Sequence, residues 1–265
     1  MKFFQSLVLA AAATAALALS ACGGSSDAGK ELGVTKPVVR YIHAIPSGPN
    51  VDFFNNNVIA DSNAAFQSVS AYNSFSSGAT TLSYNTAGAG AASPLASAGP
   101  FNTANGHEYT GIAIVSSSLT PALTVIDDPF DKGLLNNQAR LRVFNASFNA
   151  NAGGAVDVYV IATTATSPDI TTVNPTMSNV AYNSASPASG ADSIYVDGGT
   201  YVVIVTHAGS KTEIFKSTPF ALSNNADWLL VTVPTTGLSG LTPDAINVLV
   251  ANNNAGNGTL LNTTP

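Results

Sequence analysis

Apolar and polar residues alternate at period two through most of the chain, in short runs broken by Gly, Pro, Asn and Ser clusters. That alternation is the mark of half-buried β-strands joined by turns. No amphipathic helical stripe follows residue 37, so the expected fold class is all-β. The period-two reading of the first strand puts Val39, Tyr41 and His43 on one face and Arg40 and Ile42 on the other.

The strand pattern occurs twice. Arg40-Tyr41-Ile42-His43-Ala44 matches Arg142-Val143-Phe144-Asn145-Ala146, and Val51-Asp52-Phe53-Phe54 matches Val156-Asp157-Val158-Tyr159. A strand from Gly78 to Gly88 matches one from Gly199 to Gly209, and Pro100-Phe101 precedes Tyr109 as Pro219-Phe220 precedes Trp228. A repeat about a hundred residues long implies two domains, since solenoid periods run to only about 20–50 residues. The expected organisation is a β-sandwich over 38–127, a linker over 128–138, a second sandwich over 139–250 and a mobile tail over 251–265. The second copy carries an insert, Thr163–Pro175, with no counterpart in the first. Inserts of this kind are surface loops, where function is commonly grafted.

A different pattern opens the chain. Lys2, an Ala/Leu run from Leu7 to Leu19 and Leu19-Ser20-Ala21-Cys22 have the layout of an export signal. Leu19-Ser20-Ala21-Cys22 resembles a bacterial lipobox, which implies a signal peptide over 1–21, cleaved ahead of a diacylated Cys22. Two alternatives stand beside it. Ala16-Leu17-Ala18 also fits an ordinary cleavage site, and an uncleaved membrane helix would need about 20 apolar residues where this run is shorter and rich in Ala. Residues 22–37 then form the lipidated cysteine and a Gly/Ser-rich tether with a reach of roughly 20 Å. Gly23 and Gly24 carry no aspartate of the kind that holds lipoproteins at the inner membrane, so the expected location is the cell envelope, and the outer membrane in a diderm host.

Composition narrows the partners. Charged residues make up 9% of the chain and the net charge is −6. With no basic run, nucleic acid is not an expected partner, and neither a P-loop nor a Gly-x-Gly-x-x-Gly supports a nucleotide. The single Cys rules out an intramolecular disulfide. The charged residues retained in both copies are Arg40 with Asp52 and Arg142 with Asp157. They are expected to form structural ion pairs joining the first two strands of each sandwich, the aspartates also capping backbone at the hairpin, with an anion or metal site as the functional alternative.

Catalytic signals are weak. His43, His107 and His207 are all the imidazole available for zinc, and His43 and His107, which could meet across the first sandwich, have no matching histidine in the second copy. No serine sits in Gly-x-Ser-x-Gly. Asp127, Asp128 and Asp131 could meet calcium but lack the Asp/Asn ladder and closing Glu of an EF-hand. No metal or cofactor is therefore expected beyond the covalent lipid on Cys22. Tyr72, Phe75, Tyr84, Tyr182, Tyr195 and Tyr201 are expected in cores, unless some line a groove.

Taken in order, Arg-x-x-His-Ala, Val-Asp-Phe, the Gly-Ala-Thr strand ending in Ala-Gly, and Glu-Tyr-Thr before a Val/Ile-rich strand resemble the domain of unknown function 4397, in tandem. The resemblance implies a bacterial envelope lipoprotein with two immunoglobulin-like or transthyretin-like β-sandwiches, and brings no established activity with it. The expected function is non-enzymatic presentation of two modules to a polysaccharide, peptide or protein partner. A hydrolase of wall polymer built on His43, Asp52 and Glu108, and a ligand-free spacer with a flat surface, are the alternatives.

Overall fold

The computed structural model of the chain describes residues 34–129, 137–252 and 258–263. The Cys22 lipidation site, the signal peptide, most of the tether and Asp131 lie outside the described residues. The first half forms β1 (Val38–His43), β2 (Val51–Asn55), β3 (Val58–Ala64), β4 (Asn73–Ser74), β5 (Gly78–Thr86), β6 (Ala96–Thr103), β7 (Glu108–Val115) and β8 (Pro121–Asp128). They make two sheets, in the orders β3-β2-β5-β6 and β4-β1-β7-β8. The fold class is all-β, as the alternation predicts.

The second half forms β9 (Ala139–Asn145), a 3-10 turn over Phe148–Gly153, β10 (Val156–Ala162), β11 (Met177–Val180), β12 (Ala185–Ser186) and β13 (Ile194–Val196). It continues through β14 (Gly199–His207), β15 (Glu213–Lys216), β16 (Phe220–Leu222), β17 (Asp227–Pro234), β18 (Ile246–Asn252) and β19 (Thr259–Leu260). Its sheets run β11-β10-β14-β15, with β16 also on β14, and β12-β9-β17-β18-β19, with β13 also on β9. One plan is therefore used twice. It includes a parallel pair in an otherwise antiparallel context: β1 with β7 in the first half and β9 with β17 in the second. The immunoglobulin order keeps its first two strands in one sheet. Here they lie in different sheets, so the strand order departs from the immunoglobulin one.

The side chains explain how the sheets stack. Val39, Tyr41, Phe53, Leu82 and Tyr84 fill the space between the two sheets of the first sandwich. Gly111 sits opposite Tyr41 across the parallel pair, and a Cβ there would come within 3.0 Å of the Tyr41 ring. Its bareness lets Tyr41 stack on Phe53 with ring centroids 4.7 Å apart. Leu141, Val143, Val158, Val203 and Leu230 do the same work in the second sandwich.

A third core lies between the halves. Ile42, Ile112 and Ile114 of the first sandwich meet Phe144, Val231 and Leu249 of the second. These residues occupy the alternate positions of β1, β7, β9, β17 and β18, the faces that a lone sandwich would turn to water. Each such side chain contributes about 1.5–3 kcal/mol on burial. The molecule is thus a four-layer stack, with the two inner sheets buried on both faces.

Two expectations are corrected here. The tail does not begin at 251: β18 runs to Asn252, β19 pairs with it, and Leu261 is buried in the second core. Leu261, an apolar residue within polar surroundings, supplies the anchor. Likewise β8 extends one residue past the expected boundary, to Asp128. The insert Thr163–Pro175 folds over the outer sheet of the second sandwich, where Ile170 is buried against Tyr159, Val202 and Ile204. Lys211 fastens it by donating to the Val173 carbonyl at 2.5 Å and to the Tyr159 hydroxyl at 3.1 Å.

Candidate functional site

The repeated charges do not pair as the spacing suggested. Asp52 accepts the backbone N–H groups of Asn63 and Gly88, both at 2.8 Å, and Asp157 accepts those of Asn179 at 2.8 Å and Gly209 at 2.9 Å. Each aspartate ties its hairpin to the following long strand, so the capping role is real in both copies. The arginines face the opposite way, because Arg40 and Arg142 stand on the face of β1 and β9 that looks away from the sheet carrying the aspartate.

Both arginines are buried in the joint between the sandwiches. Arg40 donates to the Thr110 hydroxyl at 3.1 Å and to the Asn252 carbonyl of the other sandwich at 2.8 Å, and lies 4.9 Å from the centre of the Tyr72 ring. Arg142 donates to the carbonyls of Pro187 and Ala188 at 2.6 Å and Ala191 at 2.5 Å, organising the loop between β12 and β13. Beside it Arg140, 1% exposed, gathers Asp227 at 2.6 Å, Asp128 at 3.0 Å and Asp192 at 3.0 Å. Burial alone would lower the Arg140 pKa, but the Asp227 and Asp128 charges outweigh it and hold the guanidinium above its ordinary value. Asp227 is pushed up to about 6 by burial, against the pull of Arg140, with Glu108 and Asp128 adding to the rise. The cavity among these groups is only about 20 Å³. It has room for about one water, and the cluster is a structural clamp.

The catalytic alternative does not assemble. His43, 1% exposed, contacts the Ala64 carbonyl through Nδ1 at 3.1 Å, and burial lowers its pKa. Glu108 stands five registers away along the same parallel pair, roughly 17 Å. Asp52 has both oxygens on backbone amides. The candidate calcium residues also diverge, since Asp127 takes His107 at 2.8 Å while Asp128 turns to Arg140. His207 pairs with Asp244 at 2.9 Å.

An opening does exist at one edge of the first sandwich. A groove of about 460 Å³ is bounded by the β2–β3 hairpin and by β4 with the residues after it. Asn55, Asn56, Val58, Ile59, Asn73 and Phe75 line it, with Val39 beneath. The hairpin turns through Asn56 and Asn57, both in the left-handed region at φ 48 and 66, which Asn tolerates better than most residues. Asn56 fixes the turn by accepting the Thr81 N–H at 2.8 Å. The turn leaves Val58 and Ile59 69% and 54% exposed, side by side. Phe75 is half-buried, with its ring 6.2 Å from Tyr109. Of the aromatic candidates it alone borders the groove: Tyr84 and Tyr201 are core, and Tyr182 bonds the Val115 carbonyl across the joint.

The second sandwich shows what closes this edge. Aligned by the shared strand plan, Asn55 corresponds to Val160, Asn73 to Ile194 and Phe75 to Val196. Val160, Ile194 and Val196 all pack onto the second core. The signal was present in the repeat alignment as amides in one copy against branched aliphatics in the other.

The family model described as Domain of unknown function (DUF4397) matches residues 37–159. The matched segment takes in the whole first sandwich and continues through β9 into β10. No curated protein matches the chain.

Proposed function

We propose, taking as premise that residues 37–159 belong to the DUF4397 family, that this is a lipid-anchored cell-envelope protein without catalytic activity, and that the open edge of its first sandwich binds its partner. The observation that carries this reading is the groove of about 460 Å³ at an edge of the first sandwich whose counterpart in the second carries Val160, Ile194 and Val196 packed onto the core. Its size lies within the roughly 300–1,000 Å³ of small-ligand sites. A spacer would need no such opening, and a hydrolase would need His43, Asp52 and Glu108 to converge.

The anchor is Cys22. Three long acyl chains at about 0.8 kcal/mol per buried methylene hold a protein to a membrane for its lifetime. The buried joint then carries both sandwiches as one body above the bilayer, and the outer membrane is the location in a diderm host. Metabolic labelling with tritiated palmitate tests the anchor: label is expected on the wild type and absent from Cys22→Ala, which should be released in soluble form. A Cys22→Ala protein that stays membrane-bound would refute it. Capture of isolated cell-wall fractions by the purified protein, with Asn55→Val/Asn73→Ile as the closed-groove control, tests the site; equal capture by both proteins counts against it.

A further inference from the structure

We infer that the groove of the first sandwich binds a short segment of an uncharged glycan. This rests on the reading that the groove is the binding site, and adds the chemical class of its ligand.

No charged side chain lines the groove among the described residues. An anionic polymer or a cationic peptide would find no counter-charge there, and in a chain of net charge −6 an anion would also meet overall repulsion. What the groove offers is neutral polar groups. Among the described residues, the Asn55 carboxamide and the Ser74 and Ser76 hydroxyls make no side-chain hydrogen bond within the protein. Asn73 spends its N–H groups on the Ala60 and Ala71 carbonyls, at 3.3 and 3.4 Å, which leaves its oxygen to accept. An amide donates and accepts at once, and a hydroxyl both gives one hydrogen bond and takes others. These groups match the alternating donors and acceptors of a sugar ring.

The other requirement is an apolar platform. Sugars carry C–H faces as well as hydroxyl edges, and Val58, Ile59 and the half-buried Phe75 supply such a surface next to the amides. Among the described residues the other exposed large apolar side chains, such as Val34, Leu95, Leu119 and Leu241, stand singly along the chain. The joint exposure of two adjacent aliphatic side chains on a hairpin tip has no folding benefit. It is accounted for by a ligand that covers them.

The same edge is poorly made for an extended peptide. Adding a strand requires a regular row of free backbone groups. β3 is the edge strand here, and its ladder with β2 shifts register on both sides of Phe53. Asn63 adds a left-handed residue at φ 56, and β4 is only two residues long. Such irregularities blunt an edge against strand addition.

The test is isothermal titration calorimetry of the purified protein with maltohexaose, cellohexaose and chitohexaose as neutral probes, polygalacturonate as an anionic probe and a random decapeptide mixture as a peptide probe. Two variants accompany it. Asn55→Val/Asn73→Ile installs the side chains with which the second sandwich closes its own edge, and Val58→Asp places a charge on the exposed platform. Both are expected to keep the wild-type circular dichroism spectrum and to melt no lower than the wild type. At least one neutral saccharide is expected to bind, both variants to weaken it by about tenfold or more, and polygalacturonate and peptides to give no heat. Peptide binding that both variants abolish, with the saccharides silent, would overturn the glycan class while leaving the groove as the binding site. Saccharide binding untouched by either variant would overturn the site. Silence from every probe would overturn both.

Discussion

The two sandwiches share a strand order down to the parallel pair, and they differ most at one edge. In the second, Val160, Ile194 and Val196 seal the gap between the sheets and the insert covers the outer face. In the first, Asn55 and Asn73 stand at the equivalent positions and leave a groove. A β-sandwich therefore does not need this edge open to fold, and opening it gives up apolar burial. Under the proposed function, that concession marks the first sandwich as the half that meets a ligand and the second as its support.

The support role can be broken most severely at Arg140. Three carboxylates converge on it, so Arg140→Met would leave the partly buried Asp128 and Asp227 and the more exposed Asp192 facing one another without it. A loss of about 3–5 kcal/mol is expected from urea denaturation. Arg40→Met should cost about 1.5–3 kcal/mol, since it removes hydrogen bonds to a hydroxyl and a carbonyl.

Next in size is the joint itself. Leu249→Ala removes a fully buried side chain from between the halves, and about 2–5 kcal/mol is expected. The denaturation curve should remain a single transition, because each inner sheet is shared by two cores. Separate melting of the halves would contradict the four-layer stack.

The aspartate caps sharpen the likeness instead of the difference. Asp52→Ala and Asp157→Ala each orphan two backbone N–H groups, so each should cost about 1–3 kcal/mol, and the two costs should agree. Smallest is the edge. Asn73→Ile should raise stability by up to about 1 kcal/mol through added apolar burial, and Ile194→Asn should lower it by a comparable amount.

A pH series probes Asp227. Its folded-state pKa of about 6 exceeds the ordinary carboxylate value. The folded state then binds more protons than the unfolded state between about pH 4 and 6, so this group's contribution to stability falls as pH rises through that window and is most favourable below it. The stability of the wild type relative to Asp227→Asn should accordingly be greater at pH 4.5 than at pH 7, by melting temperature, and a difference that does not change with pH would remove the shifted acid.

Much of this architecture can be read from the residues. Alternation at Val39, Tyr41 and His43 names the face that enters the first core, and the Arg-x-x-x-Ala and Val-Asp anchors align the copies. The same alternation already forbids an Arg40–Asp52 pair, because it sends Arg40 away from the second sheet; spacing along the chain was a weaker guide than the face of the strand. The stacking of the halves was also written in the sequence, as the unbroken apolar runs Ile112–Val115 and Leu229–Val231. Such runs belong to strands buried on both faces, but nothing in a run says which surface will cover it. The pairing of β19 was hidden for a related reason, since two leucines in a tail of Asn, Gly and Thr carry no period. The groove could not be seen from the first copy alone, where Asn55-Asn56-Asn57 reads as an ordinary hairpin turn. Only Val160 and Ile194, set against Asn55 and Asn73, reveal that an amide occupies a position where the fold accepts an aliphatic.

The most direct test of the open edge is hydrogen–deuterium exchange of the protein with and without the neutral saccharide that binds it most tightly. Slower exchange is expected over residues 55–60 and 73–76, with residues 160–162 and 193–196 unchanged. Protection confined to the second sandwich or to the joint would contradict the account.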